Sequence, residues 1–130
     1  MSDLTNTLSV LSSGMEAQSM RLRYISENIA NADTPGYHRK SAPFEPDLQG
    51  GTETGRVTLG DVQLDQRDLT KVYDPGNPLA DQSGYYDGSN VDTIVEIADA
   101  REAQRSYEAN LKLFDQARQM SQSLLDLLRK

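Results

Sequence analysis

Few residues of this chain belong to types that do chemistry. His38 is the only histidine, and Arg39 and Lys40 follow it directly. A metal site needs further His, Cys or clustered acids at ligand spacing. None stands near His38, and one histidine with no credible Ser and Asp partners does not suggest a triad. Asp61, Asp65, Asp68 and Asp74 are scattered through turn-like sequence. They lack the Gly and terminal Glu that an EF-hand loop requires in register. No phosphate-cradling glycine motif is present. Arg21, Arg23, Arg39 and Lys40 are the right types to touch phosphate, but residues 1–40 carry four acids and four bases. Catalytic, cofactor and metal sites are therefore not expected. His38 is expected to pack at a surface or interface, and the acids to form a solvated surface.

The whole chain leans the same way. Its 130 residues suit one ordinary domain, with formal net charge −7 and a pI of about 4.6. That balance opposes binding to nucleic acid or to an anionic membrane surface. Hydrophobic residues are 36%, with no Trp and two Phe. The core must be thin, or apolar surface must be buried against partners. There is no Cys, hence no disulfide or thiolate site. The first residues, MSDLTNTLSVLSSGMEAQ, lack the basic start and apolar run of a cleavable signal peptide. No stretch approaches the roughly 20 apolar residues that span a bilayer, so direct membrane insertion is not expected.

The elements that position these residues fall into three zones. Residues 41–90 carry nine acids and three bases, seven of the nine Gly and four of the five Pro. On either side the pattern turns helical. Leu4, Leu8, Leu11, Met15, Gln18, Leu22, Ile25 and Ile29 are spaced alternately by 4 and 3, a heptad seam with one polar member. The spacing predicts a helix over residues 3–31, roughly 45 Å long. A second seam runs through Ala100, Ala103, Tyr107, Asn110, Phe114, Ala117, Ser121, Leu124 and Leu128, widened by Leu111, Leu113, Met120, Leu125 and Leu127. Ser89-x-x-Asp92 resembles a capping box at its start. Glu108/Lys112 and Asp126/Lys130 stand in the favoured i,i+4 order. This helix is expected to reach roughly 60 Å.

In the middle zone, Val57, Leu59, Val62 and Leu64 alternate around Gly60-Asp61, which suggests short strands. Tyr73-Asp74-Pro75-Gly76-Asn77-Pro78 predicts a type II turn. Tyr85-Tyr86 suggests another extended piece, and residues 41–56 are expected to be partly disordered. The expected fold is mainly α, with two long terminal helices packed coiled-coil-like and joined by a small β-rich or irregular insertion. Residues 1–40 and 86–130 form the helical axial core, and residues 41–85 the acidic insertion. A helix pair alone leaves much of the second stripe exposed, so its burial against other subunits is expected. The assembly residues are then Leu8, Leu11, Met15, Leu22, Ile25, Ile29, Tyr107, Asn110, Leu111, Phe114, Ala117, Leu124 and Leu128.

Between first helix and insertion lies NIANADTPGY, residues 28–37. Pro35 disfavours helix at Thr34, Gly36 permits a positive φ, and Asn28 and Asn31 can bond local backbone at the helix end. The stretch resembles the N-terminal signature of the bacterial flagellar axial proteins, the rod, hook and hook-associated subunits. The short chain is similar to a rod subunit rather than to the longer members. Val72–Asp81, Gly84-Tyr85, Ser89-Asn90-Val91 and Arg105–Asn110 resemble a subunit of the proximal rod. Asn90-Val91-Asp92 departs slightly from that type's Asn-Val-Asn.

The resemblance implies a structural, non-enzymatic subunit of the basal-body rod that spans the periplasm. It implies export without a cleaved signal peptide by the flagellar type III apparatus. The implied partners are further copies of the chain and other rod proteins of the FlgB-, FlgF- and FliE-like kinds. The signature turn Asn28, Asn31, Thr34, Pro35, Gly36 and Tyr37 then redirects the chain outward into the insertion. The rival reading is a soluble helical adaptor or chaperone of a type III secretion system.

Overall fold

The computed structural model describes residues 2–129. Helix α1 spans Ser2–Ala30 and helix α2 spans Thr93–Leu128, about 44 and 54 Å long at 1.5 Å per residue. Between them lie β1 (Lys40–Ser41), β2 (Phe44–Gln49), β3 (Thr52–Leu59), β4 (Gln63–Leu64), β5 (Lys71–Tyr73) and β6 (Tyr85–Asp87). They pair as three separate two-stranded antiparallel sheets: β1 with β4, β2 with β3, and β5 with β6. The mainly α architecture with a small antiparallel insertion is as expected.

The helices run antiparallel. Asn28 meets Glu96, Arg21 meets Asp99 and Glu102, Gly14 faces Asn110, and Leu4 and Leu11 share a groove with Leu113 and Met120. Small residues allow the close approach. A Cβ on Gly14 would sit 2.7 Å from Asn110 Nδ2, and Ala17, Ala103 and Ala117 are buried. Among the described residues, the apolar core is confined to Ala17, Ile25, Ala103 and Ala117. Most leucines of the seam stay half-buried, among them Leu8, Leu11 and Leu22. Gln18, the seam's polar member, keeps a buried Oε1 without a hydrogen-bond partner. Such an acceptor costs about 1–3 kcal/mol.

Four local expectations are corrected. Residues 41–56 are not disordered: β2 and β3 form a hairpin in which Gln49 pairs with Thr52 across Gly50-Gly51. Both glycines have positive φ, +60° and +82°. That is the two-residue turn whose twist matches the flanking strands. The hairpin lies on α1, where the Ser13 hydroxyl accepts from Val57 N at 3.1 Å and Ser9 accepts from Arg56. Val57 and Leu59 lie in β3 and Leu64 in β4, so short strands stand on both sides of Gly60-Asp61 as expected. Their partners are β2 and β1.

The turn at Asp74–Asn77 closes through Asn77 N donating to Asp74 O at 3.0 Å. Gly76 is not among the positive-φ glycines, so the turn is not type II, which requires positive φ at that position. The cap of α2 is Asp92, whose side chain accepts from Ile94 N, rather than Ser89. Ser89 Oγ instead donates to Ala32 O and accepts from Val91 N. Finally, Glu108 and Lys112 form no ion pair among the described residues, and Lys130 lies outside them. On an exposed helix face such a pair gains only a few tenths of a kcal/mol, about 0.2–0.5.

Candidate assembly interface and its hub

The corner after α1 is tied down by one residue. Asn28 is fully buried, and its amide uses all four hydrogen-bonding positions. Nδ2 donates to Lys40 O at 2.9 Å and to Glu96 Oε2 at 3.3 Å. Oδ1 accepts from the Tyr37 hydroxyl and from Lys40 N, both at 2.8 Å. Asn28 thus does not bond local backbone at the helix end. It reaches twelve residues ahead and across to α2. Asn31 does act locally, through Nδ2 to Glu27 O at 2.8 Å, and its Oδ1 accepts from Thr34.

Glu96 is equally buried, on the first turn of α2. Its carboxylate is held by Asn28 and by the Arg39 guanidinium, which also reaches Asp99 at 3.1 Å. A buried carboxylate is tolerable only when paired and hydrogen-bonded, and here it is both. Asn90 completes the hub. Its Oδ1 accepts from Arg39 N at 2.6 Å, and its Nδ2 donates to Asp65 O and Arg67 O. His38 Nδ1 lies 2.8 Å from Asp65 O. A carbonyl can only accept, so Nδ1 carries the proton.

Burial raises the Tyr37 phenol above its ordinary value, with Lys40 opposing and Glu27 and Glu96 adding. At neutral pH the hydroxyl therefore remains a donor to Asn28. The Arg67 guanidinium holds Asp65 below the usual carboxylate range, and Asp87 correspondingly raises Lys71. Gly36 has φ +76°, and its N–H donates to Gly88 O at 2.9 Å and Asp87 O at 3.2 Å. The turn is thereby docked on the end of β6.

Of the residues singled out from sequence, Ile25, Asn28 and Ala117 are buried within the chain. Leu8, Leu11, Met15, Leu22, Asn31, Tyr37, Tyr107, Asn110 and Phe114 are half-buried. Ile29, Thr34, Pro35, Gly36, Leu111, Leu124 and Leu128 are exposed. The hub joins Asn28 and Tyr37 to Arg39, Asn90 and Glu96, and sequence reading missed the last three as a unit. Each looks like an ordinary polar residue, and only the antiparallel pairing brings them together. One signal was present: an acid at the fourth helical position, whose side chain lies on the apolar side.

The larger feature is an apolar stripe that the chain does not cover. Leu113 is 51% exposed, Met120 59%, Leu127 65% and Leu128 76%. Leu113, Met120 and Leu127 recur every seven residues, so they share one side of α2. Beside Leu113 and Met120 the groove between the helices opens toward Leu4, Thr7 and Leu11. Among the described residues, no helix is long and apolar enough to cross a membrane and no His/Cys/Asp/Glu group is able to hold a metal.

Two terminal helices meet at a buried asparagine, and the second carries an exposed apolar stripe. The family model described as flagella basal body rod protein matches residues 8–38. The model described as flagellar basal body rod FlgEFG protein C-terminal matches residues 82–127. The chain belongs to the flagellar basal-body rod protein family, whose members are structural and not enzymes.

Within that family it is FlgC-like. It is 43% identical to the flagellar basal-body rod protein FlgC of Agrobacterium fabrum, over 99% of this chain and 98% of the relative. It is 36% identical to FlgC of Salmonella typhimurium, over 95% and 97%, and 32% identical to FlgC of Buchnera aphidicola from Acyrthosiphon pisum, over 95% and 97%. The chain is thus a structural rod subunit of the flagellar basal body.

Proposed function

We propose that the chain polymerises through its two terminal helices into the proximal part of the rod, and that the shaft so formed transmits torque. The observation that carries this is the exposed stripe Leu113, Met120, Leu127 and Leu128 beside the groove at Leu4 and Leu11. Burying one such leucine side chain contributes about 1.5–3 kcal/mol, and each copy repeats the gain. Coiled-coil packing forms between subunits, using the half-buried Leu8, Leu11, Met15, Leu22, Tyr107, Asn110 and Phe114 with the exposed Ile29, Leu111, Leu124 and Leu128. Residues 1–40 and 86–130 act as the axial unit, with residues 41–85 as an outward acidic insertion. The neighbours are further copies and FlgB-, FlgF- and FliE-like rod proteins. The chain reaches the periplasm-spanning rod through the flagellar type III apparatus without loss of a signal peptide.

The test is Leu127→Asp, a charge on a side chain 65% exposed in the subunit. The purified variant should keep wild-type helicity and unfolding midpoint. In a strain lacking the native gene, complete rods should be lost. Normal rods in that strain would reject the stripe as an assembly surface.

A further inference from the structure

Two amides stand among the apolar and small residues that face each other across the helix pair. On α1 the inner row is Leu4, Leu11, Gln18 and Ile25, one residue every seven. On α2 it is Ala103, Asn110 and Ala117, with the same spacing. Gly14 faces Asn110, which sets Asn110 between Leu11 and Gln18 on the opposing row. Gln18 and Asn110 are the polar members of the two rows, and they are neighbours across the interface. Neither side chain makes a hydrogen bond among the described residues. Gln18 Oε1 is buried, an acceptor without a donor. Asn110 is half-buried and has no fully buried amide atom, so its donors lie at the wet edge of the interface.

The helix backbones already direct the two amides to one place. Side chains on an α-helix lean toward its N-terminus, so Gln18 leans over the turn that holds Gly14. Gly14 has no side chain to fill that space, and a Cβ there would lie 2.7 Å from Asn110 Nδ2. Rotation of the two side chains joins Nδ2 to Oε1 with no shift of either helix. In the free subunit water competes for the Asn110 donor, so closing the bond gains little. Leu113 lies on the next turn of α2, on the same side as Asn110, and is 51% exposed. A neighbouring subunit laid on the stripe at Leu113 removes the competing water and leaves Gln18 Oε1 as the acceptor at hand. In drier surroundings the same hydrogen bond is stronger.

We infer that Gln18 and Asn110 form an amide latch, open in the free subunit and closed in the rod, with Asn110 Nδ2 donating to Gln18 Oε1. The closed latch fixes the register of α1 on α2. A polar position in an apolar seam serves that purpose at a cost in stability, and in the free subunit only the cost is present. The proposal rests on the rod reading above, because the stripe must be covered for the latch to close.

Two variants and their combination test it. Gln18→Leu removes the orphan acceptor. Urea unfolding of the purified full chain should show its folded-to-unfolded ratio raised about fivefold or more. In a strain lacking the native gene, the same variant should lose most complete rods. Asn110→Ala gives that position the size of its row neighbours Ala103 and Ala117; it should keep the wild-type unfolding midpoint and also lose most rods. The double variant should be no worse than either single one, because both break the same bond. Normal rods in either single variant, or additive losses in the double one, would overturn the latch. So would a Gln18→Leu chain no more stable than wild type, or a lowered midpoint for Asn110→Ala, which would mean that Asn110 is already bonded in the free subunit. Leu127→Asp separates the latch from the rod reading. No rods there, beside normal rods for Gln18→Leu, keeps the stripe as an assembly surface and removes only the latch; normal rods for Leu127→Asp would remove both.

Discussion

Asn28→Ala isolates the hub. The substitution removes one buried amide and strands four partners: Lys40 N, Lys40 O, the Tyr37 hydroxyl and one oxygen of Glu96. Glu96 keeps Arg39, and the Tyr37 ring is half-buried, so its hydroxyl regains water at modest cost. The two backbone groups of Lys40 lose their side-chain partner and lie next to a new cavity. Each unsatisfied buried group costs about 1–3 kcal/mol, so the two together set an expected loss of about 2–6 kcal/mol. That is a large part of the 5–15 kcal/mol or so that stabilises an ordinary domain. Urea unfolding of the full chain, followed by far-UV circular dichroism, reads it directly. Asn28→Asp should be at least as damaging, because it replaces the donor facing Glu96 with a second carboxylate oxygen. A loss below about 1 kcal/mol for Asn28→Ala would mean that water or Arg39 takes over the hub, and the reasoning from four satisfied bonds would fail.

Three further outcomes follow from particular positions. Gly36→Val places a β-branched residue at φ +76°, which costs about 1–3 kcal/mol; a lowered unfolding midpoint and fewer rods are expected, and wild-type values for both would remove the turn from the account. Gly14→Leu pushes on Asn110 where only 2.7 Å is available for a Cβ, so it should prise the helices apart and lower the midpoint; an unchanged midpoint would show that Asn110 swings away freely. Asp65 has a depressed folded value, so its contribution is present above the ordinary carboxylate range near 4 and is lost as pH falls through the folded value. Between pH 5 and 2, Asp65→Asn should therefore lose less stability than the wild type, and parallel pH curves would contradict this.

The sequence by itself determined the helices, because a 3/4 apolar period over some thirty residues admits no other regular structure. It also determined the corner, since Pro35 and Gly36 act through backbone sterics that hold in any context. Exclusion of catalysis rested on composition in the same way. Local chemistry failed where two signals competed. Ser89 and Asp92 both suit a cap, and the choice fell to Asp92 because Ser89 was claimed by Ala32 O, far along the chain. The acidic stretch 41–56 looked unable to order itself, yet its Gly50-Gly51 turn and the flank of α1 together supply the missing partners.

Only tertiary structure decided the hub. Asn28, Arg39, Asn90 and Glu96 are separated by up to 68 positions, and nothing in their spacing marks them. Antiparallel packing of α1 on α2 brings their polar atoms together away from water, where each must find a partner. Tertiary structure also decided which seam residues remain available. Small side chains at Gly14, Ala103 and Ala117 let the helices approach so closely that the broader apolar residues are displaced to the flanks. Periodicity reports which side of a helix is apolar, but whether that side meets its own chain or another depends on where the partner helix comes to rest.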